Sequence, residues 1–223
     1  MNLMPFTLLG FGFLLGVKHA FDADHVAAVS TFAAKNKSIR ESSLLGMFWG
    51  FGHTISLLLV GLIILLLKIT IPRSVSLSLE FIVGVMLVVL GLNVLFTINK
   101  NKIHLHKHKH EQEEHIHFHS HKTTKRHYHE HLPFHQSLFV GLIHGLAGSA
   151  ALSLLVLTAI KSVWAGMAYI LVFGIGSIIG MMIISSIISL PFALIPQKLE
   201  RTQRILRVSA GLISAITGLI III

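Results

Sequence analysis

GVKHAFDADH, residues 16–25, puts a lysine, two histidines and two aspartates in the middle of an apolar run that covers residues 4–34. An aspartate near the centre of a bilayer costs about 2.5–3.5 kcal/mol on the insertion scale, so two in one span need partners inside the protein. The run therefore reads as a membrane helix whose polar groups face the protein interior, and those groups read as a site. An ion pair of Lys18 with Asp22 at i,i+4 would account for part of it. It would leave His19, Asp24 and His25 without a reason to be there.

Five further apolar runs follow, at 43–67, 75–98, 137–160, 163–190 and 205–223. Each approaches the roughly 20 residues needed to cross the hydrocarbon core. With 53% hydrophobic and 12% charged residues, the chain carries more apolar surface than a water-soluble domain can cover. The expected fold is an all-α membrane protein of six transmembrane helices, multi-pass in the cell (cytoplasmic) membrane. The start, MNLMPF, lacks the positive residues of a cleaved signal peptide, so the first run is expected to stay.

A polar segment at 99–136 divides the chain into a first three-helix unit, 1–98, and a second, 137–223. The halves echo one another. Gly16-x-x-His19 matches Gly141-x-x-His144 at an offset of 125, and Gly50-Phe51-Gly52-His53 matches Gly174-Ile175-Gly176-Ser177 at 124. Gly84 and Gly91 match Gly211 and Gly218 at 127. Three matches in order at nearly constant offset indicate a duplication. An odd number of helices per copy makes it an inverted three-plus-three repeat, an arrangement transporters use. Most of these glycines are expected to serve close helix packing.

The net charge of +9 invites a nucleic-acid reading, but placement argues for orientation in a membrane and against nucleic acid. With the N-terminus outside, the cytoplasmic connections hold fourteen lysines and arginines, among them Lys35, Lys37, Arg40, Arg201, Arg204 and Arg207. The outer connections hold three: Lys68, Arg73 and Lys161. The positive-inside rule then puts both termini outside and the 99–136 loop in the cytoplasm.

There is no cysteine, so any metal must be held by histidine, carboxylate, methionine or backbone. At about 100° per residue, His19, Asp22 and His25 form one stripe, and Asp24 points away from it. A regular helix cannot aim all four at one ion. Either the helix is unwound here, or Asp24 orients an imidazole from behind. His53, after a Gly-x-Gly, and His144, the repeat partner of His19, complete the candidate set of His19, Asp22, Asp24, His25, His53 and His144. Asn93 and Glu80 are weaker candidates. Imidazole plus carboxylate without thiolate suits nickel, cobalt, zinc or manganese as the ion handled, and does not suit copper(I).

The segment Lys18-His19-Ala20-x-Asp22-Ala23-Asp24-His25 resembles the first-helix signature of the NiCoT (NicO) family of nickel/cobalt transporters. Phe51–Thr54, FGHT, is similar to that family's second-helix motif, and GLIHGLAGSAAL resembles its short, urease-accessory-like branch. The resemblance covers both halves and implies transport of Ni²⁺ or Co²⁺, with His19, Asp24, His25 and His53 critical. Longer importers of the family have eight helices and further second-half motifs that are absent here.

Residues 104–135 hold twelve of the sixteen histidines, many alternating as His-x-His. Such a tract binds metal by composition and is too polar to fold alone. It is expected to act as a cytoplasmic metal buffer or acceptor, with a nickel chaperone or a nickel-enzyme maturation protein as a candidate partner. The expected function is secondary transport of Ni²⁺ or Co²⁺ as cargo, with Zn²⁺ also compatible, and no prosthetic group. Uptake is favoured over efflux, and over a membrane sensor or assembly factor for a nickel enzyme. No enzyme is expected. His25 is followed by Val-Ala-Ala-Val where a zinc protease needs Glu-x-x-His, and no Walker motif is present.

Overall fold

The apolar run at 4–34 folds as two helices. α1 (Met4–His19) stops at the second polar residue of the motif, and α2 (Ala23–Ala33) restarts four residues on. Between them the backbone tightens: the Phe21 amide donates to the Lys18 carbonyl at 2.9 Å and the Asp22 amide to that of His19 at 3.0 Å. Asp22 is extended (φ −63°, ψ 150°) and occupies the position before the first turn of α2, yet its carboxylate caps no amide. That is the helix break expected from the stripe geometry.

The computed structural model describes residues 4–36, 38–100, 108–110, 113–115, 132–159, 162–196 and 199–223. The remaining helices are α3 (Ile39–Leu67), α4 (Arg73–Lys100), α5 (Leu132–Ala159), α6 (Val163–Leu194) and α7 (Glu200–Ile222). Ser38 and Ser162 begin α3 and α6 by accepting the amides of Glu41 and Ala165, at 3.3 and 3.5 Å. Among the described residues, four helices (α3, α4, α6 and α7) are long and apolar enough to cross a membrane, and Thr7–His19 is a shorter apolar helix. The expectation of six spans is thus met at four. Every described element outside the linker is helical. Within it β1 (His108–His110) and β2 (Glu113–His115) pair antiparallel, His108 opposite His115. Most of the His-rich tract lies outside the described residues.

Small residues set the helix crossings. A Cβ on Gly16 of α1 would collide with the Phe173 carbonyl of α6, and one on Gly141 of α5 with the Trp49 carbonyl of α3. Gly52 of α3 meets the Leu138 carbonyl of α5, and Gly176 of α6 meets the Phe13 carbonyl of α1. Serine hydroxyls reinforce these contacts across helices, Ser137 to the Leu45 carbonyl at 2.6 Å and Ser56 to the Leu142 carbonyl at 2.7 Å. The order of contacts gives direction: α1 runs parallel to α6 and α3 to α5. Gly46 and Gly50 of α3 abut Met181 and Ile178 of α6, so those two run antiparallel. Gly84 against Gly218 and Gly91 against Gly211 make α4 and α7 antiparallel as well.

Large apolar side chains such as Phe11, Leu59, Val89, Phe96 and Ile220 remain outside, more than half exposed, as a lipid-facing surface requires. The α4–α7 crossing is testable. A Cβ on Gly91 would stand 2.5 Å from the Gly211 carbonyl oxygen and 2.8 Å from the Ala215 amide nitrogen, both backbone atoms that cannot swing aside. Gly91→Leu is expected to destabilise the protein by about 1–3 kcal/mol, seen as a lower thermal midpoint in detergent. Gly10→Leu, where nothing lies within 4 Å, should leave the midpoint unchanged. Equal midpoints for the two variants would remove the packing account of Gly91.

Candidate metal centre

The helix break turns His19 and His25 toward each other, with ring centroids 4.6 Å apart. α3 passes beside the break and contributes His53, 5.2 Å from His19 and 5.3 Å from His25. α5 contributes His144, 4.1 Å from His25 and 6.1 Å from His53. His25 and His53 have no exposed surface and His144 has 2%. The His19 and Asp22 side chains keep 23% and 51% exposure, so the cluster opens on their side.

The carboxylates fix the rings. His19 Nδ1 lies 2.8 Å from Asp22 Oδ2, the contact that takes Asp22 away from capping α2. Asp24 Oδ1 accepts the His25 amide at 2.9 Å and lies 3.0 Å from His25 Nδ1. Its other oxygen, Oδ2, is 2.9 Å from His144 Nε2. A carboxylate can only accept, so these contacts assign the proton to Nδ1 of His19 and His25 and to Nε2 of His144. The opposite nitrogens keep free lone pairs. His25 Nε2, His144 Nδ1 and both ring nitrogens of His53 are buried with no hydrogen-bond partner among the described residues. Unpaired polar atoms in a membrane interior are costly. Neutral His53 carries a proton on one of its two nitrogens, so three of these four atoms offer lone pairs, an arrangement that suits something that accepts them.

Two triads have ligand atoms within 4.8 Å of one another: His19, His25 and His53, and Asp24, His25 and His144. The first is the better donor set. Asp24 in the second already serves three N–H groups, and His144 spends its Nε2 proton on it. Three neutral imidazoles at 2.0–2.1 Å from an ion would stand about 3.4 Å apart, a spacing inside the 4.8 Å that bounds these separations. Carboxylate–imidazole pairs behind such ligands fix ring orientation and raise basicity.

All six candidate residues therefore meet at one place. Asn93 and Glu80 do not join them: Thr97 donates to the Asn93 carbonyl at 2.6 Å, and Ser76 donates to Glu80 at 3.0 Å, both within α4. Three neighbours escaped the sequence reading. Trp49, fully buried, stacks on His25 at 6.0 Å and tilts against His144 at 5.7 Å. Phe173 lies 5.5 Å from His19. At Gly148 a Cβ would come 3.6 Å from His53 Cε1 and 3.8 Å from His19 Nε2, so the missing side chain leaves that face of the cluster open. Only Trp49 had a signal, as a large aromatic one turn before His53.

An apolar helical protein with buried imidazoles gathered at a broken helix belongs to the class of polytopic membrane proteins that handle cations. Residues 6–223 match the family described as high-affinity nickel-transport protein, NicO. The urease accessory protein UreH of Bacillus sp. (strain TB-90) is 39% identical over 227 residues, covering 96% of this chain and 89% of that protein. No solved structure matches the chain. This chain belongs to the NicO family of nickel-transport proteins, and it is a multi-pass membrane protein.

Proposed function

We propose that the chain is a secondary transporter that brings Ni²⁺ or Co²⁺ into the cell. His19, His25 and His53 take the ion, while Asp22, Asp24 and His144 hold the imidazoles in place. One observation carries this reading. Three imidazoles converge where the first apolar run breaks: His25 and His53 are buried with unpaired ring nitrogens, and His19 engages Asp22 through Nδ1 alone among the hydrogen bonds described. Zinc shares the donor preference.

The same proposal takes the bundle as two inverted three-helix halves. The reciprocal contacts support it: Gly16 on Phe173 and Gly141 on Trp49 are one contact repeated at offsets of 125 and 124. Gly52 on Leu138 and Gly176 on Phe13 are another. The cation cluster then lies beside the junction of the halves, as in other inverted-repeat transporters. The termini face outward and the His-rich loop inward, where it receives the cargo. The name of the relative, urease accessory protein, favours delivery to a nickel enzyme and keeps an assembly-factor role as the second reading.

Cells expressing the protein are expected to accumulate radiolabelled nickel well above cells with empty vector, with cobalt competing. Accumulation below the vector level would reverse the direction to efflux. Tight binding without flux in proteoliposomes of the pure protein would favour the assembly factor.

A further inference from the structure

Trp49 touches the imidazoles and also lines a small cavity, together with Phe32, Ser42, Leu45, Ser137 and Ser185. Ser42, Leu45 and Trp49 recur at i, i+3 and i+7, so they share one face of α3. Side chains on a helix lean toward its N-terminus, which brings the indole back over Leu45 toward Ser42. Its Cδ1, bonded to Nε1, lies against α5, where a Cβ on Gly141 would stand 2.9 Å away. Ser137 of the cavity wall is one turn before Gly141. Gly46 lets Ser185 of α6 approach α3, since a Cβ there would collide with the Ser185 Oγ.

The cavity has room for about one water molecule. Ser42 Oγ and Trp49 Nε1, on residues 2% and 0% exposed, are buried without a hydrogen-bond partner among the described residues. An indole N–H can only donate, so what it lacks is an acceptor. A serine hydroxyl can both donate and accept. Ser137 gives its proton to the Leu45 carbonyl at 2.6 Å and keeps its lone pairs. The fitting guest accepts one N–H and gives its own protons to hydroxyl oxygens. Water does both. A cation would be repelled by the indole N–H, and an anion would bury its charge with no counter-ion on the wall. A wholly apolar void would stay dry, and this one is not apolar.

We propose that this cavity binds one ordered water, hydrogen-bonded to Trp49 Nε1 and Ser42 Oγ, and that the water makes Trp49 a positioning residue for the imidazole cluster. The indole stacks on His25, with centroids 6.0 Å apart and 21° between the planes, and tilts against His144 at 5.7 Å. Anchored by its N–H, the ring is a fixed wall behind the two imidazoles that Asp24 joins. The positioning role rests on the cluster being the ion site. The water does not.

The chain has two tryptophans, and the other, Trp164, is 86% exposed. Trp164→Phe therefore leaves Trp49 as the single indole, and its ultraviolet resonance Raman spectrum reports whether the N–H is hydrogen-bonded. The parent spectrum should show a bonded N–H. Ser42→Val in that background fills the cavity with methyl groups; it is expected to leave the N–H free and to lower nickel affinity about tenfold, the low end for groups behind a ligand. Ser42→Ala leaves the space and the other hydroxyls, so both readings should stay near the parent's. Ser185→Val, which fills the same space from α6, serves if Ser42→Val is not inserted. A free N–H in the parent, or a bonded one that the valine leaves unchanged, overturns the water. A freed N–H with parental nickel affinity overturns the positioning role. Nickel binding by the parent tests the ion site separately: its absence would remove that reading, while the spectrum still decides the water.

Discussion

Cells expressing His53→Ala are expected to accumulate no more nickel than cells with empty vector, although the protein reaches the membrane in normal amount. The two halves of that expectation have separate physical causes. His53 has no exposed surface, and neither of its ring nitrogens has a partner among the described residues. Removing the ring therefore orphans no other polar group, which is what makes most buried polar substitutions severe. The cost is a cavity between α3, α1 and α5. The serine and threonine bonds that tie α3 to its neighbours, through Ser56 and Thr54, are untouched. Folding should survive. Binding should not. His53 is the one member of the imidazole triad that no carboxylate claims, so it has no evident use except as a ligand. Losing an outer-shell partner typically costs ten- to a hundredfold in metal affinity, and losing a ligand should reach or exceed the upper figure, about 2.7 kcal/mol. Nickel affinity of the purified protein, measured by competition with a chelating dye, gives the same answer without relying on transport. Wild-type affinity and flux in a well-inserted His53→Ala protein would remove His53 from the site.

Much of this centre could be read from the chain alone. All six of its polar members stood out because charged or imidazole side chains are expensive in an apolar span, and that cost is visible residue by residue. The helix break was legible for a geometric reason, since His19 and Asp24 cannot point the same way on a continuous helix. What stayed hidden depends on register between segments far apart in sequence. The bond from Asp24 to His144 crosses 120 positions, and nothing local to either residue announces it. The duplication pairs His144 with His19, which hints that it is central but not that its partner is a carboxylate. Trp49 and Gly148 were missed because an aromatic residue and a glycine in a membrane helix look like packing. They acquire meaning only from what stands beside them.

Those contacts support an orienting role for Asp24, and that role has a measurable form. Asp24 accepts from the His25 amide, His25 Nδ1 and His144 Nε2. An oxygen pair so engaged is acting on the imidazoles and has little left for an ion. Asp24→Asn replaces one acceptor oxygen by a donor that faces an N–H group, so His25 or His144 must change tautomer or turn away. The expected loss of nickel affinity is about ten- to a hundredfold, the range for outer-shell carboxylates. His144→Ala removes the other end of the same hydrogen bond and should cost less, because His25 keeps its own contact with Asp24. The combination decides the matter. If Asp24 and His144 act as one orienting unit, the double variant should bind nickel hardly worse than Asp24→Asn alone, giving a coupling energy of about 0.5–3 kcal/mol. If Asp24 is a ligand in its own right, its loss should equal that of His53, and the effect of His144→Ala should add to it in full. Additive losses in that cycle would overturn the orienting role and move Asp24 into the donor set beside His25.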